Sequence, residues 1–284
     1  MKIEDKIYGS FEVGPVLEEL ILSAPVQRLK NIHQGGAIFM VNPALNQTRY
    51  AHSVGVLYLV KHFGGDIEEQ IAALLHDVSH TAFSHVADYV FDNINEDYHE
   101  TIFDEVINRS EIPVILKKYG FNSTTLFKQA YTILEQPLPA LCADRVDYTL
   151  RDLYQADFIG LTEIRNFIKE LTIQDGCMAV KSETAGEWIK NQFRRLNEAY
   201  FKKPEHVFAN LKLAELIKDA LDEGILQKND LLRDDFQVLR KLNNHVTMNQ
   251  RLNDIGNLVH FKQFYNKGAA ERFKQRSLHP LIMG

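Results

Sequence analysis

Cysteine is nearly absent from this 284-residue chain, occurring only at Cys142 and Cys177. Two cysteines cannot build a disulfide framework, so a reducing, intracellular setting is expected in place of a stapled secreted scaffold. No hydrophobic run reaches the length of a membrane span, and the opening Met1-Lys-Ile-Glu-Asp-Lys-Ile lacks a signal-peptide core. A cytoplasmic location without membrane contact is therefore expected. Basic excess is missing too. The formal net charge is −6 and the pI is near 6.0. That argues against a broad cationic surface for duplex nucleic acid, because such binding rests on neutralising many phosphates. A small phosphorylated ligand needs only a local cluster of Arg and Lys. Repeats, low-complexity segments and shifts of composition are also lacking. The expectation is one domain over 1–284, with a catalytic core at about 25–160 and a helical C-terminal part at 161–284.

What is present is an ordinary globular composition, 45% hydrophobic and 25% charged, on a chain long enough for a substantial core. Apolar periodicity and its punctuation predict an all-α fold with one or two small β-hairpins. Helices are expected at Val16–Leu22, from Pro25 to Ile32, onward from Arg49, at Ile67–Val78 behind an Asp66 N-cap, and between Thr81 and Phe91. More follow up to Ile107, as a short pair around Gly120, from Asp144, and at Glu187–Tyr200, Glu205–Glu223 and Lys228–Leu242. Asp175-Gly176 marks a hairpin within Leu171–Val180. Residues 3–13 read as loop, Ala37–Val41 as strand-like, and the tail beyond Asn266 as partly disordered.

Chemistry concentrates in Ala72-Ala-Leu-Leu-His-Asp-Val-Ser-His80 and the following Phe83-Ser-His85. An apolar run that should be buried carries His76, Asp77, His80 and His85, and buried ionisable groups are costly unless paired. A metal ion is one such partner. His76 and Asp77 lie about 100° apart around a helix, so they converge on one ion only at a helix end or with help from other segments. Two segments qualify: one places His52 in the first turn of an apolar helix, the other places Asp144 at the start of a third. Two imidazoles and two carboxylates suit a divalent ion with positions left for water and substrate. The competing reading is four hydrogen-bonded polar residues in a helical core.

The words Arg49-Tyr-Ala-His-Ser-Val-Gly55, Leu74-Leu-His-Asp-Val-Ser-His80, Phe83-Ser-His85 and Asp144-Arg-Val-Asp-Tyr148 stand in a telling order. The chain resembles the HD superfamily of metal-dependent phosphohydrolases, and within it the deoxynucleoside triphosphate triphosphohydrolase branch. The resemblance runs from about residue 5 to about 222 and weakens after 160. It implies a mostly helical HD-type fold and one divalent ion (Mn, Fe, Zn, Ni or Mg) held by His52, His76, Asp77 and Asp144. A further Mg on the substrate phosphates would fit the same chemistry. It also implies phosphate contact by His80, and acid/base work by His99 paired with Asp88. Arg49, Arg145, Tyr148 and Asp152 match positions that hold polyphosphate and sugar; Gln34 resembles a glutamine that reads the deoxyribose, and Tyr200 a tyrosine that stacks on it. Plainer roles compete: helix capping or ligand support for His80 and His85, a surface ion pair for Arg145 and Asp152, and an ordinary helix-ending loop at Gln34.

This sequence departs from the family pattern in several places. Ser79 and Thr81-Ala82 replace glycines and a proline, and Gly35 replaces a residue that blocks a 2′-hydroxyl. Gln192, Leu196 and Lys202 stand where the family often has Arg and His. The foremost functional expectation is hydrolysis of a deoxynucleoside triphosphate to nucleoside and tripolyphosphate. Removal of single phosphates from a mono- or diphosphate is the alternative that the missing donors suggest. A nucleotide-binding protein without turnover is a third, which the complete ligand set disfavours. A nucleotide is the expected partner, and a homo-oligomer is expected by analogy alone.

Overall fold

The computed structural model describes residues 1–266 and 276–283. Part of the tail expected to be disordered, 267–275 together with 284, lies outside the described residues. The chain opens with β1 (Lys2–Asp5) and β2 (Gly9–Glu12), an antiparallel hairpin in the stretch read as loop. Its turn depends on Asp5, whose Oδ1 accepts from the amides of Ile7 and Tyr8 at 2.8 and 3.0 Å. Helices α1 (Pro15–Leu22) and α2 (Ala24–Arg28) follow, each with proline in its first turn. A single 3₁₀ turn, Leu29–Asn31, extends α2. Ala37–Val41 is not a strand: Gly36 at φ +67° turns the chain into the one-turn helix α3 (Ile38–Val41).

Next come α4 (Arg49–His62) and α5 (Ile67–Leu75), the latter capped by Asp66, whose carboxylate accepts from the Glu69 amide at 2.9 Å. The expected Ile67–Val78 helix stops three residues early. The expected helix from Thr81 is, for its first half, a tight turn with Phe83 and Ser84 both at positive φ; only α6 (Val86–Val90) is helical. Short helices α7 (Tyr98–Thr101), α8 (Phe103–Asn108), α9 (Ile112–Lys118) and α10 (Ser123–Leu126) lead to α11 (Ala143–Gln155) and α12 (Leu161–Glu170). Strands β3 (Leu171–Gln174) and β4 (Cys177–Val180) form the expected Asp-Gly hairpin.

α13 (Glu183–Arg195) begins earlier than expected because Ser182 caps it, and it runs into a π-helical turn, Leu196–Phe201. α14 (Pro204–Asp222) is followed by a 3₁₀ turn, Lys228–Leu232, and α15 (Asp235–Asn243), where one continuous helix was expected. Asp234 caps α15 and breaks the run. α16 (Val246–Gly256), α17 (Phe261–Tyr265) and β5 (Leu281–Ile282), parallel to β4, complete the described chain. The fold is mostly helical with small sheets, as the residue pattern predicts.

Two apolar cores support it. The larger joins α1, α4, α5, α11 and α13, with α4 packed on both α5 and α11. The smaller gathers α6, α14, α15 and α16 around Phe83, Leu213 and Met248. The turn that carries Phe83 to His85 buries Phe83 in the smaller core. No helix among the described residues is long and apolar enough to cross a membrane.

Candidate metal centre

Thr48 caps α4 by accepting from the Ala51 amide, which orders the first turn; Arg49 and His52, three apart, then project to one side. His76 sits where α5 ends, and Asp77 follows in the turn beyond it. The helix end removes the 100° conflict between adjacent side chains. α11 brings Asp144 from its first turn, and close approach to α4 depends on Gly55. A Cβ there would lie 2.0 Å from Oδ1 of Asp147 and 2.1 Å from Nη2 of Arg151.

The donors converge. His52 Nε2 lies 3.0 Å from Asp144 Oδ1, 3.3 Å from His76 Nε2 and 3.6 Å from Asp77 Oδ2. His76 Nε2 lies 3.6 Å from both Asp144 Oδ1 and Asp77 Oδ1. Ligands bonded to one ion at about 2.0–2.2 Å stand about 3–3.6 Å from their neighbours, so His52, His76 and Asp144 fit a divalent cation, while Asp77 stands beside them with Oδ2 toward His52 and Oδ1 toward His76. The far nitrogens are fixed as well: His52 Nδ1 meets Asp147 Oδ2 at 2.8 Å, and His76 Nδ1 meets the Ala73 carbonyl at 2.8 Å. Such contacts set the tautomer that leaves Nε2 free to ligate.

The local field is strongly negative. Burial opposes a charge on His52, yet the carboxylates of Asp144 and Asp147 push its pKa up to about 10. Burial likewise opposes ionisation of Asp77, but Arg49 and the imidazoles hold its carboxyl well below the usual carboxylate range. Arg49 is pinned there, with Nη1 2.7 Å from Asp77 Oδ2 and Nε 2.9 Å from Ser84 Oγ. A second His/Asp group adjoins the first: Asp77, His80 and His99. His80 Nε2 is 3.2 Å from Asp77 Oδ1, and the rings of His80 and His99 stack at 3.8 Å. Burial and the neighbouring Arg49 keep His80 neutral, and burial beside His85 pulls His99 down to about 3.

The structure corrects one pairing outright. Asp88 pairs with His85, Nδ1 to Oδ2 at 2.9 Å, and its other oxygen accepts from the Tyr98 amide. His99 Nδ1, by contrast, is buried without a hydrogen-bond partner. Asp88 and His85 lie on one turn, three residues apart, so their contact forms locally, whereas His99 packs flat on His80. Gln34, Arg49, His80, His99 and Tyr148 line a cavity of about 920 Å³ together with the ligands. Three expected contacts lie behind its wall. The Arg145 fork donates to the carbonyls of Ala140 and Gln136, Asp152 is fully buried with Oδ1 unpartnered, and Tyr200 is buried beside it.

Asp147 was not singled out, although it falls three residues after Asp144, on the same face of α11. It takes both forks of Arg151 at 2.8 Å, and Arg151 Nη1 reaches Asp5 Oδ2 at 3.0 Å. A buried chain of charge thus links the N-terminal hairpin to His52. The spacing of Asp144 and Asp147 signals this in the sequence; the Asp5 link spans too many residues to do so.

The helical frame with its His, His-Asp and Asp donors defines a class, and the chain belongs to the HD-domain family of metal-dependent phosphohydrolases. It matches the HD domain over residues 49–152. It is 51% identical over 244 residues to the uncharacterized protein YdhJ of Bacillus subtilis (strain 168), covering 85% of this chain and 75% of that one. It is 39% identical over 233 residues to the metal-dependent phosphohydrolase cns2 of Cordyceps militaris, covering 79% and 68%. It is also 33% identical over 141 residues to the deoxynucleoside triphosphate triphosphohydrolase SAMHD1 of Homo sapiens, covering 42% and 22%.

Proposed function

We propose that this centre removes a single phosphate from a nucleotide-sized phosphate ester, releasing orthophosphate. The carrying observation is the charge of the cavity wall. Glu96, Glu100 and Glu135 stand against Arg49, Lys202 and Arg276, so the lining beyond the metal ligands is balanced, not cationic. Arg49 is bound to Asp77, Arg276 pairs with Glu96, and Arg145 faces away. Such a wall, where only Lys202 and the partly exposed Arg276–Glu96 pair can yield a cation to an anion, suits one phosphate better than a triphosphate, which relies on several free cations. A monophosphate needs far fewer. Phe103, Phe127 and Tyr131 add aromatic faces on which a base can lie.

In this reading His52, His76, Asp77 and Asp144 hold the cation. When bound, a divalent ion supplies a water of lowered pKa and polarises a phosphoryl oxygen. Arg49, fixed by Asp77 and Ser84, turns its remaining nitrogen to the equatorial oxygens, where charge develops in phosphoryl transfer. His80, neutral and buried, orients the phosphate. His85, held by Asp88 and partly exposed to the cavity, donates a proton to the leaving oxygen as its bond to phosphorus breaks.

The test is a panel of nucleoside mono-, di- and triphosphates incubated with Mn²⁺, with products separated by ion exchange. Orthophosphate from monophosphates is expected. A second reading, release of tripolyphosphate from deoxynucleoside triphosphates, is favoured by the likeness to SAMHD1 over 141 residues. Tripolyphosphate as the dominant product would select it, and no turnover of any compound would reject both.

A further inference from the structure

Arg276 enters the cavity from outside the HD segment, on a strand of chain anchored at three points. Two residues on, Leu278 is buried in the larger core. The His279 amide donates to the Pro139 carbonyl at 2.8 Å, and Leu281–Ile282 pair with Ala179–Val180. This anchoring presents the guanidinium to the space that the metal ligands also line. There it pairs with Glu96, and Tyr148 and Tyr89 line the same cavity. Glu96 sits at φ +60°, in the left-handed region that few residues with a side chain occupy.

The pair is also partly open, with side-chain exposures of 34% for Arg276 and 23% for Glu96. Ion pairs of this exposure give little net stabilisation, so a doubly charged anion in bidentate contact can take the place of the single carboxylate. Lys202 lines the same wall and has no ion pair among the described residues. These two cations come from the C-terminal part, where Gln192 and Leu196 fail to supply the donors expected there.

We infer that Arg276 is a phosphate-binding residue of this cavity, and that Glu96 holds it in reserve until an anionic substrate displaces the carboxylate. The inference rests on the monoesterase reading above. It assigns to the C-terminal strap a part in choosing the substrate, and it makes Glu96 a competitor of the phosphate for one guanidinium.

Opposite effects of two variants test it in the full, Mn²⁺-loaded chain, using a nucleoside monophosphate as substrate and inorganic phosphate as competitive inhibitor. R276Q should raise both KM and the phosphate inhibition constant about tenfold, the scale of one charge-assisted contact, and R276K should recover part of the loss. E96Q should lower both constants by about threefold, because the guanidinium is released. A purely structural pair would move both variants the same way. Turnover by the wild type with KM and phosphate inhibition unmoved in R276Q overturns the inference alone. Lack of turnover by the wild type overturns the monoesterase reading and the inference with it.

Discussion

Oδ2 of Asp147 lies 2.8 Å from Nδ1 of His52, on the side of the imidazole opposite Nε2, which faces Asp144 and His76. Removing this carboxylate frees the ring to rotate and leaves the Arg151 guanidinium with Asp5 alone. Asp147→Ala should lower metal affinity about 10–100-fold, the usual cost of losing such an orienting contact. It should also destabilise the fold by about 3–5 kcal/mol, as breaking one side of a buried ion pair does. Metal titration and urea denaturation of the metal-free protein read the two effects separately. Unchanged metal affinity would mean that His52 needs no orientation from α11.

How much of this was legible in the sequence follows from the range of each interaction. That His52, His76, Asp77 and Asp144 come together could be read because His52 and Asp144 each fall in the first turn of a helix within a short word; the helix end at His76 could not, since the apolar pattern runs on to Val78. The β1–β2 hairpin was not legible. Its register depends on Asp5 capping its own turn while reaching Arg151, a contact that apolar periodicity does not encode. Ala37–Val41 was misread because a strand-like composition yields to the turn that Gly36 imposes. Asp88 was given the wrong histidine because local spacing was outweighed by the family pattern.

Chelation should act on stability as well as activity. An ion that binds only the folded chain adds RT ln(1 + [M]/Kd), about 4 kcal/mol at a thousandfold excess over Kd. EDTA should therefore lower the melting temperature by several degrees and abolish phosphate release. In Asp144→Ala, which lacks one donor of the His52, His76 and Asp144 group, the melting temperature should respond far less to added Mn²⁺. An equal response in the variant would remove Asp144 from the ligand set.

Asp152 makes a prediction with a definite sign. Burial, reinforced by nearby Asp147, lifts its carboxyl to about 7, and Oδ1 has no partner. In the unfolded chain an aspartate titrates near ~3.9. Between those values the folded state holds a proton that the unfolded state has released, so stability falls as pH rises through this window and stays low above it. Asp152→Asn removes the penalty. Its unfolding free energy, read by urea denaturation, should match that of the wild type near pH 4 and exceed it at pH 8 by about 4 kcal/mol. A difference that does not vary with pH would show that Asp152 is ionised at neutral pH in the folded protein.

The choice between His85 and His99 as proton donor can be made through the leaving group. His85 is oriented by Asp88 at 2.9 Å and 46% of its side chain is exposed, whereas His99 is stacked on His80 and held neutral down to about 3. A group that stays unprotonated at working pH has no proton to give, while one fixed by a carboxylate on one nitrogen can present the other to the substrate. His85→Ala should therefore lower kcat about 10²–10⁴-fold on a nucleoside monophosphate, whose alkoxide departs only with a proton. On p-nitrophenyl phosphate, whose phenolate departs without one, the loss should be much smaller, and Asp88→Asn should follow the same pattern to a lesser degree. His99→Ala should affect both substrates alike, because its stacked ring positions His80 against Asp77 and acts on the phosphate. If instead the leaving-group dependence appears in the His99 variant and is missing from the His85 variant, the proton comes from the stacked pair, and Asp88–His85 is a structural clasp at the turn before α6.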